Sequence, residues 1–119
     1  WDVTGPLSSG KPHPRGFGTF PRVIRKYVLE ERVLGLEQAV RKMTGQVAEA
    51  FKIPDRGLIR TGCKADIVIF DLATIKDNAT YQEPHQFPSG IVRVMVNGQW
   101  VVHNQQLTAA RPGRLLLKK

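Results

Sequence analysis

The chain has 119 residues, with 18 Lys and Arg against 10 Asp and Glu, a formal charge of +8 and 41% hydrophobic residues. That length and composition suit one ordinary globular domain and exclude a long multidomain enzyme. No stretch approaches 18 consecutive apolar residues, and the first twenty are rich in proline and glycine, so neither an apolar membrane-spanning helix nor a secretory leader is expected.

Cys63, the one cysteine, cannot form an internal disulfide, so a reducing compartment, the cytoplasm, is expected. The basic surplus is spread out. Residues 1–60 carry 11 basic and 6 acidic side chains and residues 61–119 carry 7 and 4. Arg25-Lys26, Arg41-Lys42 and Lys118-Lys119 are not interleaved with aromatic residues, so the charge argues against a nucleic-acid platform.

The segment Trp1–Phe20 has neither helical nor strand periodicity. It opens without Met and reads as a loop or a severed connection, and Lys11-Pro12-His13-Pro14-Arg15-Gly16-Phe17-Gly18 favours a fixed irregular path. Helical spacing is expected from Pro21, with Val23, Ile24, Tyr27 and Val28 on one side and an end near Glu31 or Val33. A second helix follows Gly35, with Leu36, Val40 and Met43 on one stripe. A third, short piece spans Val47 to Phe51 and must stop before Pro54.

Strand signals begin after Arg56. Leu58-Ile59 and Ile67-Val68-Ile69-Phe70 read as two strands joined through a turn at Thr61-Gly62, the second a continuous apolar run of the kind buried on both faces. A loop covers Leu72 to Gly90. Ile91 to Val96, the dipeptide Asn97-Gly98, and Gln99 to Val102 form a hairpin with a type I′ turn. The order is helices first and strands afterwards, an α+β class. About four strands from one sheet leave open backbone edges that an independent domain has to cover.

Chemistry is sparse. His13, His85 and His103 show no metal-binding spacing, and Cys63 has no neighbouring base to activate it. Gly16-Phe17-Gly18 lacks the context of a phosphate loop. Asp66 and Asp71 sit at strand ends, where carboxylates commonly satisfy turn backbone groups. Asp2 and Arg15 fall on the proline-rich loop, where a carboxylate could accept a proton and a planar guanidinium could hold a carboxylate.

The run His13-Pro14-Arg15-Gly16-Phe17-Gly18-Thr19-Phe20-Pro21-Arg22-Val23, with Glu30-Glu31 and Leu36 to Thr44, resembles the C-terminal quarter of the N-acyl-D-amino-acid deacylases (D-aminoacylases) of the metal-dependent amidohydrolase superfamily. Asp55 to Asp71, Pro84 to Ile91, Val96-Asn97-Gly98 and Ala110 to Arg114 continue the likeness. The resemblance implies a C-terminal fragment of a (β/α)8 amidohydrolase: an irregular active-site loop at 1–20, terminal barrel helices at 21–53, and at 54–119 the C-terminal part of a small composite β-sandwich domain. It implies hydrolysis of the amide of an N-acyl-D-amino acid by a metal-bound hydroxide, with an Asp moving the proton.

Asp2 is the candidate for that Asp, and His13 and Arg15 are candidate substrate-binding residues, Arg15 for the α-carboxylate. The family's zinc ligands match nothing in the chain, so no bound metal is expected here, and the chain is expected to be inactive without the missing N-terminal barrel. The alternatives are a stand-alone β-rich interaction module and, less favoured by the charge pattern, a basic nucleic-acid binder. At about 1.5–3 kcal/mol per buried apolar side chain, the face of Val23, Ile24, Tyr27, Val28 and Leu29 is too apolar to leave uncovered, and a homo-oligomer, most simply a dimer, is expected.

Overall fold

A computed structural model describes residues 9–117. The chain divides into two compact units, Trp1–Val40 with Asp71–Gly90, and Arg41–Phe70 with Ile91–Lys119.

In the first unit, helix α1 runs Arg15–Arg22 and continues directly into a π-helical segment, Val23–Glu30. The helix thus starts six residues before the expected Pro21. Pro14 is the reason: it takes the N-cap position with φ −51° and ψ −26°, where a missing N–H costs nothing. The carbonyls of His13 and Pro14 accept the amides of Gly16 and Phe17, and Thr19 Oγ1 donates to the Arg15 carbonyl at 2.7 Å. Pro21 lies inside the helix, removing one rung of the ladder. Downstream the spacing lengthens, with Glu31 N–H donating to the Lys26 carbonyl at 2.8 Å, the i to i−5 pattern of a π-helix. The helical run ends where the sequence indicated.

Ile24 is buried, whereas Tyr27 on the expected apolar side is 36% exposed. The loop Asp71–Gly90 belongs to this unit. Asp71 opens it with an Asx turn, accepting from Ala73 N–H and Thr74 Oγ1, as expected of a carboxylate at a strand end. Ile75, at 1% exposure, is the large side chain this unit buries most completely. Helix α2, Leu36–Met43, crosses the boundary between the units.

The second unit contains helix α3, Gly45–Ala50, and an antiparallel sheet in the order β1 (Ile67–Phe70), β2 (Ile91–Val96), β3 (Gln99–His103) and β4 (Gln106–Leu107). Asn97 and Gly98 connect β2 to β3 with φ of 47° and 79°, the type I′ hairpin that the dipeptide predicts. The order of helices followed by an antiparallel sheet is the expected α+β one, with two differences. Leu58-Ile59 is not a strand: Ile59 is 90% exposed, and its two-residue stretch lies between Gly57 at φ 82° and the Arg60–Cys63 turn. The fourth strand is instead β4, reached through Asn104 and Gln105, both at positive φ.

β1 is also not buried on both faces. Among the described residues it pairs only with β2, and Val68 and Ile69 are 52% and 42% exposed. An edge strand offers one ladder of unpaired backbone groups. No helix among the described residues is long and apolar enough to cross a membrane.

Candidate functional site

Two of the three candidate site residues from the sequence lie at the start of α1. His13 and Arg15 stand together there, while Asp2 lies outside the described residues. His13 Nδ1 accepts the backbone N–H of Arg15 at 3.1 Å. Its Nε2 lies 3.0 Å from the Tyr81 hydroxyl, and the two rings meet edge to face with centroids 5.1 Å apart. The Arg15 side chain is exposed, and its guanidinium has no hydrogen bond or ion pair among the described residues. Its backbone, by contrast, is fixed through both its amide and its carbonyl.

One turn on, the loop Asp71–Gly90 grips the same helix. A Cβ added at Gly18 would stand 2.8 Å from Asp77 Cβ, so only glycine permits this approach. Asp77 also accepts from Arg22 Nη1 at 3.0 Å. That hydrogen bond and the carboxylate's charge hold the Arg22 guanidinium above its ordinary pKa. Phe17 sits edge-on to His85 and Phe87, with centroids 5.8 and 5.9 Å away. His85 Nε2 is buried without a hydrogen-bond partner. Beside these contacts, Arg22, Arg25, Lys26, Lys76 and Asp77 line an open cleft of about 440 Å³.

In the second unit, Asp66 is a structural residue. Its carboxylate accepts the Asn97 N–H at 2.7 Å and is ion-paired with Arg56. Partial burial acts to raise its pKa, but the Asn97 N–H and the Arg56 guanidinium outweigh burial and hold it below the ordinary value. Cys63 is a half-buried free thiol, and the His103 ring lies 6.2 Å from that of Trp100.

Among the described residues no group of three His, Cys, Asp or Glu side chains could hold a metal ion. They do not fit the zinc that the deacylase resemblance implies, and no catalytic step through a metal is derived from them. Sequence reasoning missed Tyr81 and Asp77. Tyr81 lies 68 positions from His13, and nothing in the spacing joins them. In sequence Gly18 reads only as part of a glycine-rich turn, and its close approach to Asp77 is visible only in the fold.

The amidohydrolase family profile matches residues 2–102. The chain is 47% identical to an N-acyl-D-aspartate deacylase of Alcaligenes xylosoxydans xylosoxydans over 88% of its length, and 44% identical to a D-aminoacylase of the same organism over 91%. It spans about a fifth of those relatives, 21% and 22%. Among solved structures, a crystal structure of D-aminoacylase superposes with a TM-score of 0.81 at 44% identity, covering 84% of this chain and 21% of the neighbour. The N-acyl-D-glutamate deacylase of Bordetella bronchiseptica, solved with zinc and a phosphonate inhibitor, gives 0.84 at 45% identity, covering 89% and 22%.

Proposed function

The chain belongs to the amidohydrolase family, and from that premise we propose that it is the C-terminal part of a zinc-dependent hydrolase that cleaves the amide of N-acyl-D-amino acids. The observation that carries the proposal is the sustained 44% to 47% identity to deacylases over about nine tenths of the chain. On this reading residues 21–53 belong to the last helical layer of a (β/α)8 barrel, and 54–119 form the C-terminal share of a composite β-domain. The remainder of that domain pairs with the exposed edge of β1, and the zinc ligands come from the barrel.

Within this chain the substrate contact is Arg15. Its planar guanidinium, without a partner among the described residues, suits two-point recognition of the α-carboxylate, and its backbone is already fixed. Asp2 is the proposed proton-transferring carboxylate. The chain alone is then inactive, and it self-associates to cover its exposed apolar side chains.

The test is direct. The purified 119-residue chain, given zinc and N-acetyl-D-glutamate or N-acetyl-D-aspartate, is expected to show no turnover, and the full enzyme to hydrolyse the D form in preference to the L form. Stereoselective hydrolysis by the short chain would overturn its proposed incompleteness. A full enzyme inert toward every N-acyl-D-amino acid would overturn the substrate class. Light scattering of the short chain is expected to give a dimer or larger species.

A further inference from the structure

We propose that His13 and Tyr81 form a clamp that positions Arg15 for the substrate carboxylate, and that neither ring binds the substrate itself. The proposal rests on the reading of Arg15 as the carboxylate anchor. It departs from the sequence-based expectation that His13 contacts substrate, because the His13 ring already has a partner at each nitrogen.

The need for such a clamp follows from the start of α1. The first amides of a helix require acceptors from outside its own ladder. Pro14 occupies the N-cap and offers no side-chain hydrogen bond. His13 Nδ1 takes that role, accepting the N–H two residues ahead at 3.1 Å. This is the arrangement an Asn or Asp side chain makes in an Asx turn. The bonded amide is that of Arg15, so the imidazole fixes the backbone from which the guanidinium extends.

The proton inventory gives the clamp a direction. A backbone N–H can only donate, so Nδ1 carries the lone pair and the neutral ring carries its proton on Nε2. That N–H then donates to the Tyr81 oxygen at 3.0 Å, and the edge-to-face packing of the two rings restrains the imidazole further. Asp77 against Gly18, and His85 and Phe87 against Phe17, grip the next turn from the same loop. The Arg15 backbone is therefore held while its guanidinium has no partner among the described residues, which suits a side chain that must meet an incoming carboxylate in one orientation.

The experiment uses the full enzyme carrying this chain and steady-state kinetics on an N-acetyl-D-amino acid. His13→Ala removes the acceptor and is expected to raise KM on the order of tenfold with kcat changed by no more than about twofold, the signature of lost binding shared by ground and transition states. His13→Asn supplies an oxygen able to accept the same amide and is expected to recover most of that loss. Tyr81→Phe keeps the ring, removes only the hydroxyl and is expected to raise KM by a smaller factor. With the α-carboxylate of the substrate replaced by a carboxamide, wild type and His13→Ala should become indistinguishable.

Arg15→Ala separates the two levels of inference. An unchanged KM in Arg15→Ala would remove the anchor reading itself. A raised KM there, with no effect of His13→Ala, would overturn the clamp alone. A fall in kcat at constant KM in His13→Ala, or equal defects in His13→Ala and His13→Asn, would also overturn it. Should His13→Ala fail to fold, Tyr81→Phe on the carboxylate and carboxamide substrates decides: the clamp requires its defect to appear only with the carboxylate.

Discussion

Gly90 lies directly against the backbone of Ile75, so that a Cβ at Gly90 would come within 2.5 Å of both the nitrogen and the Cα of Ile75. Gly90 also has φ of 78°, a region that side-chain-bearing residues rarely adopt. Gly90→Ala is expected to destabilise the protein by about 2 kcal/mol or more, from strain and overpacking together. Gly113→Ala, at a position with open space around it, should stay within about 0.5 kcal/mol of the parent. Urea unfolding monitored by circular dichroism compares the two, and equal midpoints would contradict the packing described.

Asp66 makes a prediction about acid. Its pKa is lower in the folded protein than its ordinary value, so the unfolded chain takes up the proton first as pH falls. The stabilisation is fully present above the ordinary aspartate value and is lost as pH drops through the folded one. Urea midpoints measured from neutral pH downward should fall in the carboxylate range for the parent and fall less steeply for Asp66→Asn. Parallel curves would show that Asp66 contributes nothing to the acid limb.

Asn97 serves the hairpin in two ways. It supplies the positive φ of the turn, and its side chain accepts from Arg56 Nη2 at 2.7 Å while donating to the Pro112 carbonyl at 2.8 Å. Asn97→Gly keeps the backbone conformation and loses both bonds, and is expected to cost about 1–3 kcal/mol because partly buried partners are left unpaired. Asn104→Gly, at the second turn, keeps a positive φ where no side-chain hydrogen bond is present among the described residues, and should be close to neutral. A reversed order of the two urea midpoints would refute the assignment.

Gly18 and Asp77 permit a compensation test. Gly18→Ala forces a methyl group against Asp77 Cβ and is expected to cost about 1–3 kcal/mol. Asp77→Ala removes only a half-exposed ion pair, worth about 1 kcal/mol or less. Combining Gly18→Ala with Asp77→Gly removes the clash and should be more stable than Gly18→Ala alone. Simple additivity of the losses measured separately for Gly18→Ala and Asp77→Gly would show that the residues are not in contact.

The parts of the fold that were legible in sequence are those set by local chemistry. Asn97-Gly98 specifies its turn by conformational preference, Gly35 marks the gap before α2, and Asp71 makes the turn expected of it. What escaped depends on tertiary placement. Prolines and glycines at 12–18 argued for an irregular path, yet Pro14 caps a helix and Gly18 admits Asp77. Leu58-Ile59 has strand composition without a strand to pair with, and Asn104-Gln105 lacks the glycine that made its neighbour turn recognisable. Arg15 drew notice in sequence through its planar fork, and its proposed carboxylate role comes from the deacylase resemblance, whereas the Tyr81 contact with His13 spans 68 positions and is set by folding alone.

The Asn97-Gly98 turn also bears on how the protein ages. An Asn followed by Gly loses its side-chain amide when the Gly nitrogen attacks Cγ, forming a cyclic imide and releasing ammonia. In the folded chain that nitrogen is held 3.0 Å from the Ala65 carbonyl, while the amide group under attack is anchored to Pro112 and Arg56. Folding thus restrains both reacting groups, and opening of the hairpin releases both at once. Water then opens the imide to aspartate or isoaspartate, whose carboxylate cannot donate to Pro112, so each deamidated copy refolds to a weaker hairpin and spends more time open to proteolysis. The molecule's chemical lifetime is therefore coupled to how rarely this one turn comes apart.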